Sequence, residues 1–265
     1  MGALNVTPES FSDGGYYVDA ELAVQRAKVM LNAGADIIDI GGESTRPGAE
    51  PIDGETERAR VLPIIKAVAS RLSCLISIDT YRAQTAQEAI KAGAHIVNDV
   101  WGLQREPDIA NVAANTGAGL VIMHSGRDRE TLPDVIEDQN HFLQTSLSMA
   151  QDAGVGKEQI VLDPGFGFAK DEPHNIELLA RFSQLETLGR PLLVGTSRKR
   201  FIGSVTGHDN PLDRDVGTAA TGVVCRLAGA SIFRVHNVAI QKDALSIADR
   251  VFAAKQTAPS VETEQ

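Results

Sequence analysis

The residues of this chain that could do chemistry fall into three groups. The first is cationic: Arg46, the run Thr196-Ser197-Arg198-Lys199-Arg200, Arg234 and His236. Fixed positive charges gathered in an acidic protein mark a place for an anion. A run of this kind opening a helix adds free backbone N–H groups and the positive end of the helix dipole. The set suits a phosphate-type group, although solvation at the surface is the plainer reading for one of Arg198 and Arg200. The second group is Asp79, Asp163 and Asn98. A carboxylate accepts two parallel N–H bonds from an amidine-like edge, and an amide beside it both donates and accepts. With Lys199 in reach of a ring carbonyl, these residues fit a flat, nitrogen-rich heterocycle; a sugar or a metal fits them as well. The third group is two long Gly/Pro-rich loops, Thr7–Gly15 and Ser44–Pro51. They read either as lids that exclude water or as plain surface connections.

Each residue alone has an ordinary explanation. An Asp before Thr80 or Pro164 is commonly a helix cap, Asn98 a turn residue, His124 a satisfied histidine. What joins them is the element each one follows. Apolar runs at Gly2–Asn5, Asp36–Ile40, Leu75–Asp79, Ile96–Asn98, Leu120–His124, Ile160–Asp163, Leu192–Gly195 and Ile232–His236 read as eight strands. Amphipathic stretches between and after them, such as Ala20–Asn32, Glu55–Arg71, Arg82–Lys91, Asp134–Ala153, Asn175–Leu185, Leu212–Leu227 and Val238–Ala254, read as helices. Ala-Gly-Ala at 33–35, 92–94 and 228–230, and Thr-Gly-Ala at 116–118, precede strands, where Gly ends a helix in the left-handed conformation. No Gly-x-Gly-x-x-Gly turn follows the first strand, which counts against a dinucleotide fold. The expected fold is one α/β domain, a (β/α)8 TIM barrel over residues 1–255, with 256–265 a disordered polar tail. A barrel of this kind carries its chemistry at the carboxyl ends of its strands. All eight ends are polar here, so the three groups converge on one mouth.

Composition agrees with a globular enzyme. The chain has 265 residues, 43% hydrophobic and 23% charged, with a net charge of −10. That sign disfavours nucleic acid and anionic membranes as partners. No apolar run approaches the ~20 residues of a membrane span. Cys74 and Cys225 lack metal-like spacing and read as buried reduced thiols, so the expected compartment is the cytoplasm. The start lacks the basic stretch and apolar core of a signal peptide and enters a strand at once, which suggests that upstream residues are missing.

The segments resemble the dihydropteroate synthase family. They are Leu4-Asn5-Val6-Thr7-Pro8 with Ser10–Gly15, Glu43-Ser44-Thr45-Arg46-Pro47-Gly48, Ser77-Ile78-Asp79-Thr80, Asn98-Asp99, Met123-His124, Asp163-Pro164-Gly165-Phe166-Gly167-Phe168, Ser197-Arg198-Lys199 and Arg234-Val235-His236. They occur in order over nearly the whole chain. The resemblance implies an enzyme of folate biosynthesis that joins p-aminobenzoate to 6-hydroxymethyl-dihydropterin pyrophosphate, releasing pyrophosphate. It implies Mg2+ as cofactor, a homodimer and sulfonamide inhibition. It assigns the pterin to Asp79, Asn98, Asp163 and Lys199, with Met123 and Phe168 as walls and Arg234 on the ring. Asn5, Thr45, Arg46, Arg234 and His236 would hold the pyrophosphate, and Asn5 the metal. Phe11, Pro47, Phe168, Ser197, Lys199 and Arg200 would form the p-aminobenzoate pocket, with Asp13 beside it. Asn5, Asp13, Arg46, Lys199, Arg234 and His236 would carry the catalysis.

The chain departs from the family pattern at Asn237, where Asp is usual, at Glu9, at Ala169, at Asp171-Glu172-Pro173 and in the loop Ser125-Gly126-Arg127-Asp128-Arg129. None removes an expected ligand. Two other readings share the barrel: a pterin-barrel methyltransferase acting on methyltetrahydrofolate, which has no use for the cation cluster, and a catalytically silent pterin-binding paralogue, which should have lost Asn5, Arg46 or His236.

Overall fold

The computed structural model describes residues 1–6, 15–44 and 49–257. Among them strands alternate with helices: β1 (Gly2–Asn5), α1 (Gly15–Asn32), β2 (Ile37–Gly41), α2 (Gly54–Arg71), β3 (Leu75–Asp79), α3 (Ala83–Lys91), β4 (Ile96–Asp99), α4 (Asp108–Thr116) and β5 (Gly119–Met123) come first. Then follow α5 (Val135–Asp152), β6 (Ile160–Asp163), α6 (Glu172–Ala180), β7 (Leu193–Val194), α7 (Arg200–Thr206), α8 (Asp215–Leu227), β8 (Ile232–Phe233) and α9 (Val238–Thr257). Strands β1 to β6 pair in chain order and β7 pairs with β8, all in parallel. Two bridges close the ring, Leu162 with Leu192 and Gly2 with Val235. Across the second seam the Ala3 N–H donates to Val235 O and the Val235 N–H to Met1 O, each at 2.9 Å. The chain is thus a closed (β/α)8 barrel.

Three boundaries differ from expectation for identifiable reasons. β7 and β8 are two residues each rather than four and five. Beyond them the His236 N–H bonds the Ser197 hydroxyl at 3.1 Å instead of a strand carbonyl. α4 fills the helix that the Thr-Gly-Ala turn at 116–118 implies, over a span not named among the expected helices. It ends on Gly117, and Gly34, Gly93, Gly117 and Gly229 all take positive φ, at 98°, 116°, 71° and 101°. Ala35, Ala94 and Ala230 then donate back to Met30, Ala89 and Cys225 carbonyls at 3.0, 3.0 and 2.9 Å, the six-to-one bond of a Schellman turn. α9 runs to Thr257, past the boundary expected at residue 256, and 258–265 lie outside the described residues.

Strand alternation sorts the core from the site. Ile38, Ile40, Ile76, Ile78, Leu120, Ile122 and Leu162 are buried in one apolar cluster with helix residues such as Val61, Ile65, Ile109, Leu143 and Leu178. The intervening Asp39, Ser77 and Asp79 therefore turn toward the barrel axis, where they too are buried. Helix capping falls to other acids. Asp53 accepts from Thr56 N–H at 2.7 Å, Asp134 from Ile136 and Glu137 N–H at 2.8 and 2.9 Å, and Asp171 from His174 N–H at 3.0 Å. Asp79 and Asp163 cap no helix, which removes the plainer reading of both. Cys74 and Cys225 are free thiols; burial pushes Cys225 up to about 12. No described helix is long and apolar enough to cross a membrane.

Candidate active site

The segment after β6, Asp163-Pro164-Gly165-Phe166-Gly167-Phe168, is tied at almost every peptide. Asp163 Oδ1 accepts from Gly165 N–H at 2.7 Å, Gln139 donates to Pro164 O at 3.0 Å, and Asn175 Oδ1 accepts from Gly167 N–H at 2.7 Å. Lys170 Nζ donates to Gly165 O at 3.0 Å, and Lys199 Nζ donates to Phe166 O. Gly165, at φ 64°, could carry no side chain, because a Cβ there would stand 2.0 Å from His124 O. The two phenylalanines then go opposite ways. Phe166 stacks in the core against Phe182 and Phe201. Phe168 joins a separate apolar cluster with Met123, Tyr81, Val100 and Trp101. Phe168 and Met123, the expected ring walls, are thus placed side by side.

The polar groups of the second set meet beside that wall. Asp79 and Asn98 are register partners on β3 and β4, both buried. Arg234, just past β8, spans the barrel: its Nε donates to Asp39 Oδ2 at 2.6 Å and its Nη2 to Asp79 Oδ2 at 2.9 Å. Lys199 Nζ lies 4.3 Å from the Phe168 ring centroid. Burial pushes Asp79 up to about 7 against the pull of Arg234, and pushes Asp163 up against Lys199. Burial likewise pulls Lys199 down to about 7 against Asp163. Three carboxylates and two cations therefore share one poorly solvated floor.

The rest of the first, cationic set sits beside Lys199 and Arg234, past the ends of β7 and β8. Ser197 Oγ and His236 Nδ1 are 2.8 Å apart. Arg198 takes φ 58°, held by Thr218 Oγ1 on its N–H at 3.0 Å and by Asp215 at 2.7 and 2.9 Å on its guanidinium. That left-handed residue separates Ser197 from Lys199. Arg198 is thus a structural cation, and Arg200 is exposed at the start of α7. Asn237, the departure next to His236, donates to Asp215 Oδ2 at 2.9 Å, so it supports the Arg198 anchor while Ser197 holds the imidazole. α7 has only seven residues and no side-chain cap, which leaves its dipole a small part of any anion site. Asn5 ends β1, next to Gly41. Phe11, Asp13, Thr45, Arg46 and Pro47 lie outside the described residues.

Several residues with a role here were not sequence candidates. Asp39 holds Arg234. His124 Nδ1 receives Lys170 Nζ at 2.9 Å and its Nε2 meets Asp138 Oδ2 at 2.8 Å. Burial lowers His124 to about 4 and Lys170 to about 7. Arg129 adds 2.8 and 2.6 Å bonds to Asp138, fixing the loop that sets Arg127 4.6 Å over Phe168. Glu43, in the motif after β2, accepts from Tyr81 at 3.0 Å and Arg82 at 2.8 Å. Asp99 accepts from Trp101 and Leu103 N–H at 2.8 and 2.6 Å and so shapes its own turn. Among the described residues no group of three or more His, Cys, Asp or Glu could cage a metal.

Comparison with known proteins gives these positions a context. A family model described as pterin binding enzyme matches residues 1–236. A dihydropteroate synthase of Bacillus subtilis is 46% identical over 241 residues, 90% of this chain and 83% of that protein. The crystal structure of a dihydropteroate synthase from Clostridium difficile, in the presence of pteroic acid, superposes with a TM-score of 0.91 at 47% identity, covering 94% of this chain and 95% of that one. One from Xanthomonas albilineans with 4-aminobenzoic acid gives 0.89 at 40% identity, over 97% and 93%.

Proposed function

The chain belongs to the pterin binding enzyme family as a dihydropteroate synthase, and from that premise we propose how its strand ends divide the reaction. The enzyme joins p-aminobenzoate to 6-hydroxymethyl-dihydropterin pyrophosphate and releases pyrophosphate. One observation carries the division. Just past β7 and β8 alike, two polar groups stand two residues apart: Lys199, over the Phe168 ring, and Ser197; Arg234, on Asp79, and His236, which meets Ser197. Asp79, Asn98, Asp163 and Lys199 hold the pterin edge between Met123 and Phe168. Asn5, Thr45, Arg46, Arg234 and His236 take the diphosphate.

A dissociative substitution suits this layout. The methylene sits on an electron-rich ring, so the C–O bond can break ahead of attack, and negative charge grows on the departing diphosphate. Preorganised donors at that point lower the barrier. The aromatic amine attacks through its neutral lone pair, and its proton leaves afterwards to solvent or the released pyrophosphate, so no strong base is needed. Phe11, Asp13 and Pro47 on the two loops, with Phe168, Ser197, Lys199 and Arg200, form the p-aminobenzoate pocket and keep water from the cation. The donor set fits Mg2+ in one respect: among the described residues the protein offers the neutral amide of Asn5 and no acidic cage, as expected for an ion that shares diphosphate oxygens and water. When bound, Mg2+ supplies charge neutralisation to the leaving group.

A homodimer and a cytoplasmic setting belong to the same proposal. Val216 and Val224, eight residues apart on α8, are 74% and 49% exposed, and Ile247 on α9 is 69% exposed; apolar surface of this kind suits a second copy. The test of the reaction is pyrophosphate release. Pyrophosphate release matched by dihydropteroate formation from p-aminobenzoate and the pterin pyrophosphate supports it and separates it from methyl transfer; no release, or release with no dihydropteroate when both substrates are present, rejects it.

A further inference from the structure

Asp39 stands in the middle of β2, between Ile38 and Ile40, and is fully buried. A bare carboxylate in that position needs a physical reason, because an ion withdrawn from water is strongly disfavoured unless partnered. Only one of its oxygens is engaged. Oδ2 accepts Arg234 Nε at 2.6 Å and Asn98 Nδ2 at 3.4 Å. Oδ1 is buried without a partner among the described residues. The carboxylate thus touches one residue assigned to the diphosphate and ring, and one assigned to the ring edge.

Arg234 is bound at two points that differ in kind. Its Nε, close to the chain, goes to Asp39; its terminal Nη2 goes to Asp79. Asp79 is also the carboxylate assigned to the aminopyrimidinone edge. Arg234 Nη2 already occupies Asp79 Oδ2, so a ring edge that pairs with both Asp79 oxygens competes with the guanidinium for that oxygen. If Arg234 hung on Asp79 alone, binding the ring would break its one ion pair and release the arginine. With Asp39 on Nε, the guanidinium can give up Nη2 and stay in place.

We propose that Asp39 is a positioning residue that retains Arg234 at its Nε while the incoming pterin edge displaces Nη2 from Asp79. The exchange leaves Nη2 free to turn to the diphosphate, so occupation of the ring site readies the anion site. Other charges that face Asp79 are Glu57 and Asp99 and, across the floor, Lys199; none contacts Arg234 by a hydrogen bond among the described residues. The inference rests on the reading of Asp79 as a pterin ligand given above.

The test uses Asp39→Asn, which keeps shape and an acceptor but removes the charge that competes with Asp79 for the arginine. Two probes are titrated by calorimetry into wild type and variant: pterin without diphosphate, and inorganic pyrophosphate. Pterin should bind the variant about tenfold more weakly or worse, because the undivided arginine now holds Asp79. Pyrophosphate should bind no more weakly, because one negative charge has left its surroundings. Equal weakening of both probes marks Asp39 as merely structural and overturns the proposal, as does unchanged pterin binding. Should the variant not fold, a crystal of the wild-type enzyme with pterin decides. The proposal requires the Arg234–Asp39 bond intact and the Arg234–Asp79 bond open; the reverse overturns it. Failure of the underlying reading looks different: wild type itself would then bind no pterin.

Discussion

Replacing Asp79 by Asn should make the protein more stable and unable to bind pterin. Asp79 is buried and ionises near 7 rather than the usual 3.8. At ~1.4 kcal/mol for each tenfold, holding it as the anion at pH 8 opposes folding by about 4 kcal/mol. Asn resembles the neutral acid, and its carbonyl oxygen can still accept Arg234 Nη2. Allowing about half for relaxation around a coupled ion pair, the variant should gain about 2 kcal/mol at pH 8. The sign follows from proton linkage. The folded-state value lies above the unfolded one, so wild type loses stability as pH rises from about 4 to 7, while the variant does not. The gain should therefore vanish below about pH 4 and level off above about 7. Urea denaturation of both proteins across this range measures it, and calorimetry with pterin measures the lost function. A variant less stable than wild type at pH 8, or one that binds pterin normally, refutes the reasoning.

Pterin binding should peak near pH 7, because below it Asp79 takes up a proton and above it Lys199 loses one; a calorimetric affinity flat from pH 5.5 to 8.5, a range set by roughly 1.5 pH units on either side, contradicts this. Gly165→Ala should destabilise by roughly 3 kcal/mol or cause misfolding, given positive φ and a Cβ driven into His124 O, and a melting temperature within error of wild type would be inconsistent with that. Arg46→Ala should lower turnover far more than pterin affinity, read as a kcat loss with little change in pterin Kd. Sulfonamides should inhibit, and added p-aminobenzoate should relieve the inhibition; inhibition indifferent to p-aminobenzoate speaks against the assigned pocket.

Much of this site could be read along the chain, because a barrel puts the residues at and just past the carboxyl end of each strand at the mouth. Asp79, Asn98, Asp163, Lys199, Ser197 and His236 all obey that rule. Asp39 escaped it. It lies inside an apolar run, and only the two-residue alternation of β2, which turns Ile38 and Ile40 outward, reveals that it faces the axis. The Lys170–His124 contact joins residues 46 apart, and no spacing rule links them; burial of both makes the pairing matter. Arg198 was legible only as a cation, since its positive φ and its Asp215 partner arise from the turn between β7 and α7. β7 and β8 end early, and past them the His236 N–H goes to the Ser197 hydroxyl, a tertiary choice that apolar runs do not encode.

A crystal of the enzyme soaked with the pterin pyrophosphate and p-aminobenzoate would test the division of the mouth most directly. The ring edge should lie on Asp79, Asn98, Asp163 and Lys199, with the diphosphate within reach of Arg234 and His236 on the same ligand. A ring seated away from Asp163, or a diphosphate that no conformation of His236 could touch, would contradict it.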